Sequence, residues 1–146
     1  MERNVGVKVK KLHADAIIPS YEKEGDAGFD LHAIADVAIA PGECVLVPTG
    51  LAFEIPRGFE IQIRLRSGVA AKTSLILANA PGTIDSGYRG EIRLIVRNLG
   101  KTTVMVQKGD RLAQGVLAPV YTAVFTEVDG LSWSERGTSG FGSTGR

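Results

Sequence analysis

The stretch "GFEIQIRLR", residues 58–66, sets Phe59, Ile61, Ile63 and Leu65 alternately against Glu60, Gln62, Arg64 and Arg66. Successive strand side chains point to opposite faces, so this is a strand with one buried and one wet side. The same period runs through "VGVKVKK" (5–11) and through "GEIRLIVRN" (90–98), with Ile92, Leu94 and Val96 in phase. "TTVMVQ" (102–107), "RLAQGVLAPV" (111–120) and "YTAVFTEV" (121–128) read as further short strands. Turn chemistry separates these runs: "APGE", "PTG", "IPRG", "NLGK" and "QKGD". No window long enough for an ordinary amphipathic helix keeps a 3.6-residue period. "SGVAAKTS" (67–74) is the one helix candidate, a turn or two long. Many short strands between turns predict an all-β sandwich or barrel.

Length and composition narrow the class. A chain of 146 residues favours one domain with a real core. A net charge of +1 gives no reason to expect nucleic acid or an acidic membrane as partner. "MERNVGVKVKK" at the amino terminus has no apolar run, so a cytoplasmic, soluble protein is expected. Cys44 is the only cysteine, which excludes an internal disulfide, and its place in "CVLVP" predicts a buried structural thiol. His13 and His32 lack ligand-spaced partners, so a zinc site is not expected.

Four segments read as more than strand or turn. "DAGFDL" (26–31) brackets small residues with two carboxylates: a turn acid before a strand, or an Asp30 that faces a cation or basic group. "RLRSGVAAK" (64–72) runs a strand into Arg66, Ser67 and Gly68 at a short helix. This is either an anion site with a guanidinium and a hydroxyl, or a Ser N-cap. "NAPGTIDSGYRGEI" (79–92) reads as a hairpin that holds Asp85 near Tyr88 among glycines, a plausible pocket or simply a Gly-rich turn. "KGDRLAQ" (108–114) is a β-turn in which Asp110 and Arg111 could form a surface pair. After about Asp129 the β pattern stops. "RGTSGFGSTG" (136–145) follows, too glycine-rich to fold alone, with Phe141 its one large apolar residue.

In this order, "DAGFDL", "RSGVAAK", "GTIDSGYRGEI", "GDRLAQ" and "RGTSGFGSTG" resemble the five motifs of the homotrimeric dUTP pyrophosphatase (dUTPase) family, over about residues 5 to 145. Each motif is weak alone; five in order are a specific signal. The resemblance implies a jelly-roll-like β barrel over 1–130 and a flexible glycine-rich C-terminal arm over 131–146. It further implies a homotrimer with active sites at subunit interfaces, dUTP as substrate, Mg²⁺ as cofactor, and hydrolysis to dUMP and pyrophosphate. That activity limits uracil incorporation into DNA and supplies dUMP for thymidylate synthesis.

Residue by residue, the resemblance makes Asp85 the acid that activates water and Tyr88 the aromatic beneath the deoxyribose. Asn79, Gly82, Thr83 and Ile84 fall in the turn that reads uracil and sugar. Arg66, Ser67 and Gly68 match the phosphate cradle; Arg111 and Gln114 match polar groups on the phosphate side. Asp30 matches the carboxylate that holds magnesium through water. Arg136 resembles the arginine for the terminal phosphate, Phe141 the ring over uracil, and Gly142, Ser143 and Thr144 the triphosphate-binding end of the arm. Arg93 matches a position that is often basic. The chain departs from many relatives at Gly87, where they carry an acid.

Two other readings compete. The related dCTP deaminases carry "RSS" where this chain has "RSG", and a glutamate at the place held here by Ile95, which cannot act as an acid or base. A non-catalytic β-barrel that merely senses nucleotide would not need Asp85.

Overall fold

The computed structural model describes residues 3–145; the outer limits expected at 1 and 146 lie outside the described residues. Among the described residues eleven strands and one short helix follow one another. They are β1 (Lys8–Lys11), β2 (Phe29–His32), β3 (Val37–Ile39), β4 (Cys44–Pro48), β5 (Leu51–Glu54), β6 (Phe59–Leu65) and α1 (Ser67–Lys72). Then come β7 (Leu75–Leu77), β8 (Gly82–Ile84), β9 (Arg93–Asn98), β10 (Val104–Val106) and β11 (Arg111–Pro119). Every pairing is antiparallel, in sheets ordered β2-β11-β6-β8 and β4-β9-β7 and in the ribbons β1-β5 and β3-β10. The protein is all-β as expected. Its sheets wrap one core without closing into a continuous barrel.

The opening stretch explains the arrangement. In β6, Ile61 and Ile63 are buried, and the strand lies between β11 and β8. Ile92, Leu94 and Val96 are buried in the same core, with Leu31, Ile39 and Val47. Burying such side chains from two facing sheets is the main stabilising term, about 1.5–3 kcal/mol for each large aliphatic.

Three readings of the sequence fail for definite reasons. "YTAVFTEV" forms no strand: after the Val120 N–H bonds to Gly58 O (2.8 Å), the chain leaves the sheet and finds no ladder partner. Cys44 is exposed, because the alternation of β4 turns Val45 and Val47 inward and Cys44 and Leu46 outward. Segment 79–92 is no hairpin: β8 pairs with β6, whereas β9 pairs with β4 and β7 in another sheet. It is a crossing between sheets.

Asn98 is a structural residue that the strand pattern hides. Fully buried at the end of β9, it donates from Nδ2 to Ile39 O (2.9 Å) and Thr102 O (2.8 Å). Its Oδ1 accepts from Ser74 Oγ (2.7 Å) and Gly100 N (2.8 Å). One amide thus ties three chain segments to β9. Asn98→Ala is expected to cost about 3 kcal/mol by leaving several buried groups unpaired. A lowered urea midpoint at unchanged m-value, at equal chain concentration, checks this.

Candidate active site

The crossing segment 79–92 builds one wall of a cleft of about 280 Å³. Asn79, Gly82, Thr83, Ile84, Asp85, Tyr88 and Arg93 all line it, so one feature collects every candidate from the third motif together with Arg93. Its floor is apolar: Leu46, Ile63, Leu77, Leu94 and Ile95. Leu46 and Ile95 face each other in register on β4 and β9. Leu46 escaped the sequence reading because only the alternation of β4 shows that this half of "CVLVP" points outward.

Local hydrogen bonds hold the wall. The Tyr88 hydroxyl donates to Glu91 O (2.9 Å), and the Tyr88 N–H donates to Asp85 O (3.1 Å). A side chain at Gly90 would collide with the Tyr88 ring and hydroxyl, so this fold-back requires glycine there. Ile92 N–H to Leu51 O (2.8 Å) and Thr49 Oγ1–H to Ile92 O (2.6 Å) fasten the far end of the segment. Two acids line the cleft, and their situations differ. Glu91 Oε2 accepts from Gly50 N–H (3.0 Å) and is committed to structure. The Asp85 carboxylate has no hydrogen bond or ion pair among the described residues and is exposed to the cleft.

A second group of candidates gathers elsewhere in the chain. Arg66 is the N-cap residue of α1, its N–H bonded to Leu112 O (3.2 Å). Ser67 is therefore the first helical residue, not the cap, and its hydroxyl makes no hydrogen bond among the described residues. Arg66 Nε lies 3.1 Å from Asp30 Oδ1, and Arg111 Nη1 lies 3.4 Å from Asp30 Oδ2. Gln114 stands opposite Asp30 on neighbouring strands, and its side chain lies over Gly28 where any Cβ would clash. Asp26 takes the role of turn acid, its Oδ2 accepting from Lys23 N–H (2.9 Å). Asp110 does not pair with Arg111 but caps its own turn, accepting from Gln107 N–H (2.8 Å).

His32, beside this group, has its pKa lowered by burial and by Arg111 and Arg66, against an opposing effect of Asp30. It is neutral at neutral pH.

The cleft and the arginine cluster do not meet within one chain. Arg66 and Arg111 border a different depression, with Val69, Leu112 and Val104. The arm residues hydrogen-bond to neither. Arg136 donates from Nε to Ser139 O (3.0 Å), and the other hydrogen bonds recorded for 134–145 are also internal. Phe141 is fully exposed at a positive φ of 52°. Gly142, Ser143 and Thr144 are likewise exposed.

Among the described residues no three acids, histidines or cysteines converge as an all-protein metal cage. Magnesium does not need such a cage, since it keeps most of its waters and takes one or two carboxylates alongside substrate phosphates. Nor is any helix among the described residues long and apolar enough to cross a membrane.

An all-β frame thus holds a lone carboxylate and a tyrosine over an apolar cleft, with a separate Asp–Arg cluster. A dUTPase family model matches residues 14–145, and the chain belongs to that family, whose members hydrolyse dUTP. It is 53% identical to a deoxyuridine 5′-triphosphate nucleotidohydrolase of Nautilia profundicola over 96% of this chain and 99% of that one. It is 55% identical to the Picosynechococcus protein of the same name, over 95% of this chain and 98% of that one. Among solved structures, a mutant dUTPase of Staphylococcus bacteriophage 80alpha with dUpNHpp superimposes with a TM-score of 0.92. The match has 29% identity and covers 98% of this chain and 100% of that one. A mutant dUTPase of phage phi11 of S. aureus, described with a structural Mg(II) ion, gives 0.82 at 26% identity over 88% of this chain and 100% of that one.

Proposed function

We propose that this chain hydrolyses dUTP to dUMP and pyrophosphate with Asp85 as general base, at a site assembled from several copies. The carrying observation is Asp85 itself: it is the cleft acid whose carboxylate is spent on nothing else. Asp85 orients a water and takes its proton as the oxygen attacks the α-phosphorus. The bond from the α-phosphorus to the α–β bridging oxygen breaks, and pyrophosphate leaves. Arg66, Arg111 and Arg136 neutralise the charge that develops on it. Asp30 is the residue that would hold a magnesium ion, which would supply further charge neutralisation on the phosphates.

Tyr88, locked by Gly90 and Glu91, presents its ring beneath the sugar and leaves no room for a 2′-hydroxyl. The backbone of Thr83 and Ile84, with Asn79, reads the uracil edge. Cytosine there would bring a donor against a donor, a costly mismatch. Ile95 in the cleft wall offers no acid or base for deamination. Pyrophosphate release from dUTP, dCTP, dTTP and UTP side by side tests the reading, with turnover expected for dUTP alone. Comparable release from UTP or dTTP would overturn it. In the cell such an activity keeps uracil out of DNA and feeds thymidylate synthesis.

Two observations support a homotrimer. The Asp85 cleft and the Arg66–Arg111 cluster border separate depressions of one chain, so a complete site needs a second copy. Residues 121–133 leave the sheets with Tyr121, Val124, Phe125, Leu131 and Trp133 exposed, apolar surface of the kind that a neighbouring chain covers. Sedimentation equilibrium is expected to give three copies of the 15.5 kDa chain. A monomer that turns over dUTP would refute the shared site. We further propose that 1–130 acts as the barrel domain and 131–146 as a flexible arm that closes over bound substrate, in a cytoplasmic enzyme.

A further inference from the structure

Glu22 is a charged residue that no motif contains, yet it sits inside the arginine cluster. Its Oε2 lies 3.4 Å from Arg111 Nη1 and 3.9 Å from Arg66 Nη2, so one carboxylate oxygen bridges two guanidinium groups. The placement is built, not incidental. Tyr21, the preceding residue, packs edge-on against Phe29 with ring centroids 5.9 Å apart. The following residue, Lys23, is fixed by the Asp26 turn. Asp30 already holds both arginines from the buried side. Glu22 covers them from the solvent side, its own side chain about half exposed.

With both acids the cluster is formally neutral; without Glu22 it carries one net positive charge. An oxygen anion shared by two guanidinium groups is also the geometry in which a phosphate oxygen binds. We infer that Glu22 is an intramolecular stand-in for substrate phosphate. It occupies the solvent side of Arg66 and Arg111 in the empty enzyme and must swing away when the polyphosphate enters. It thereby weakens binding of dUTP and of the product pyrophosphate alike, and speeds release. The inference rests on the proposal that Arg66 and Arg111 serve the phosphates.

Glu22→Gln keeps the side-chain shape and removes the charge. The KM for dUTP and the inhibition constant of inorganic pyrophosphate are expected to fall together by about fivefold, the effect of one exposed charge at this range, with kcat moving less. The difference should shrink in high salt. Glu24→Gln, at a nearby acid with no ion pair among the described residues, should leave both constants unchanged. Unchanged or raised constants in Glu22→Gln, alongside an Arg111→Gln that raises KM, would overturn the stand-in and leave the phosphate role of the arginines intact. An Arg111→Gln enzyme with wild-type KM and pyrophosphate inhibition would remove that role and the inference together.

Discussion

Asp85→Asn is expected to leave folding and dUTP affinity nearly intact and to lower turnover by about 10²–10⁴-fold, the usual cost of losing a general base. Asparagine fills the same space in the cleft wall but cannot take a proton from water. The backbone turn that Asp85 helps form, through its carbonyl and the Tyr88 N–H, is preserved in the variant. The other acid of the cleft provides the contrast. Glu91 is engaged by the Gly50 N–H, so Glu91→Gln should act mainly through local structure. Single-turnover kinetics with saturating dUTP, beside equilibrium binding of a non-hydrolysable analogue, separates chemistry from affinity. An Asp85→Asn enzyme within a few-fold of wild-type turnover would sink the assignment.

Stopping the chain after Glu135 is expected to leave a protein that folds and assembles normally and has lost most of its turnover. The expectation follows from the arm's contacts. Its recorded hydrogen bonds are local, and Phe141 touches none of the core, so its removal exposes nothing. Its contribution would arise only on bound substrate. There Arg136 would meet the terminal phosphate, Phe141 would lie over the base, and Gly142, Ser143 and Thr144 would offer N–H and hydroxyl groups to the polyphosphate. Excluding bulk water strengthens each of those contacts. Phe141→Ala should show a milder loss, since the phosphate contacts remain. Phe141→Trp should keep much of the activity and report closure by fluorescence, once the response of exposed Trp133 is accounted for. Full activity in the truncated protein would return the arm to an idle tail.

Much of this protein is legible in one dimension, because its signals are local. The period of two in 58–66 and 90–98 follows from the pleat: those residues form β6 and β9, with Ile61, Ile63, Leu94 and Val96 buried and Phe59 and Leu65 half-buried. The motifs are legible because glycine, proline and the charged residues carry their chemistry wherever they sit. Asp85 and Tyr88 do share one cleft, and Asp30, Arg66, Arg111 and Gln114 do share one cluster.

What tertiary structure alone decided are matters of partnership. "YTAVFTEV" has strand composition, but a strand exists only where another edge accepts its backbone, and none does so among the described residues. The glycines of 79–92 suggest a hairpin, yet β8 within that segment and β9 just after it pair in different sheets, and the segment becomes the wall of a cleft. Cys44 sits in an apolar run, but only the register of β4 against β9 shows it to face outward. Glu22 has no local signature at all; its contacts, Arg66 and Arg111, are distant in sequence and meet it through the pairing of β2 with β11 and the course of β6 into α1. Alternation and turn chemistry are written residue by residue, whereas which edge, face or charge meets which is settled only when the whole chain buries its core.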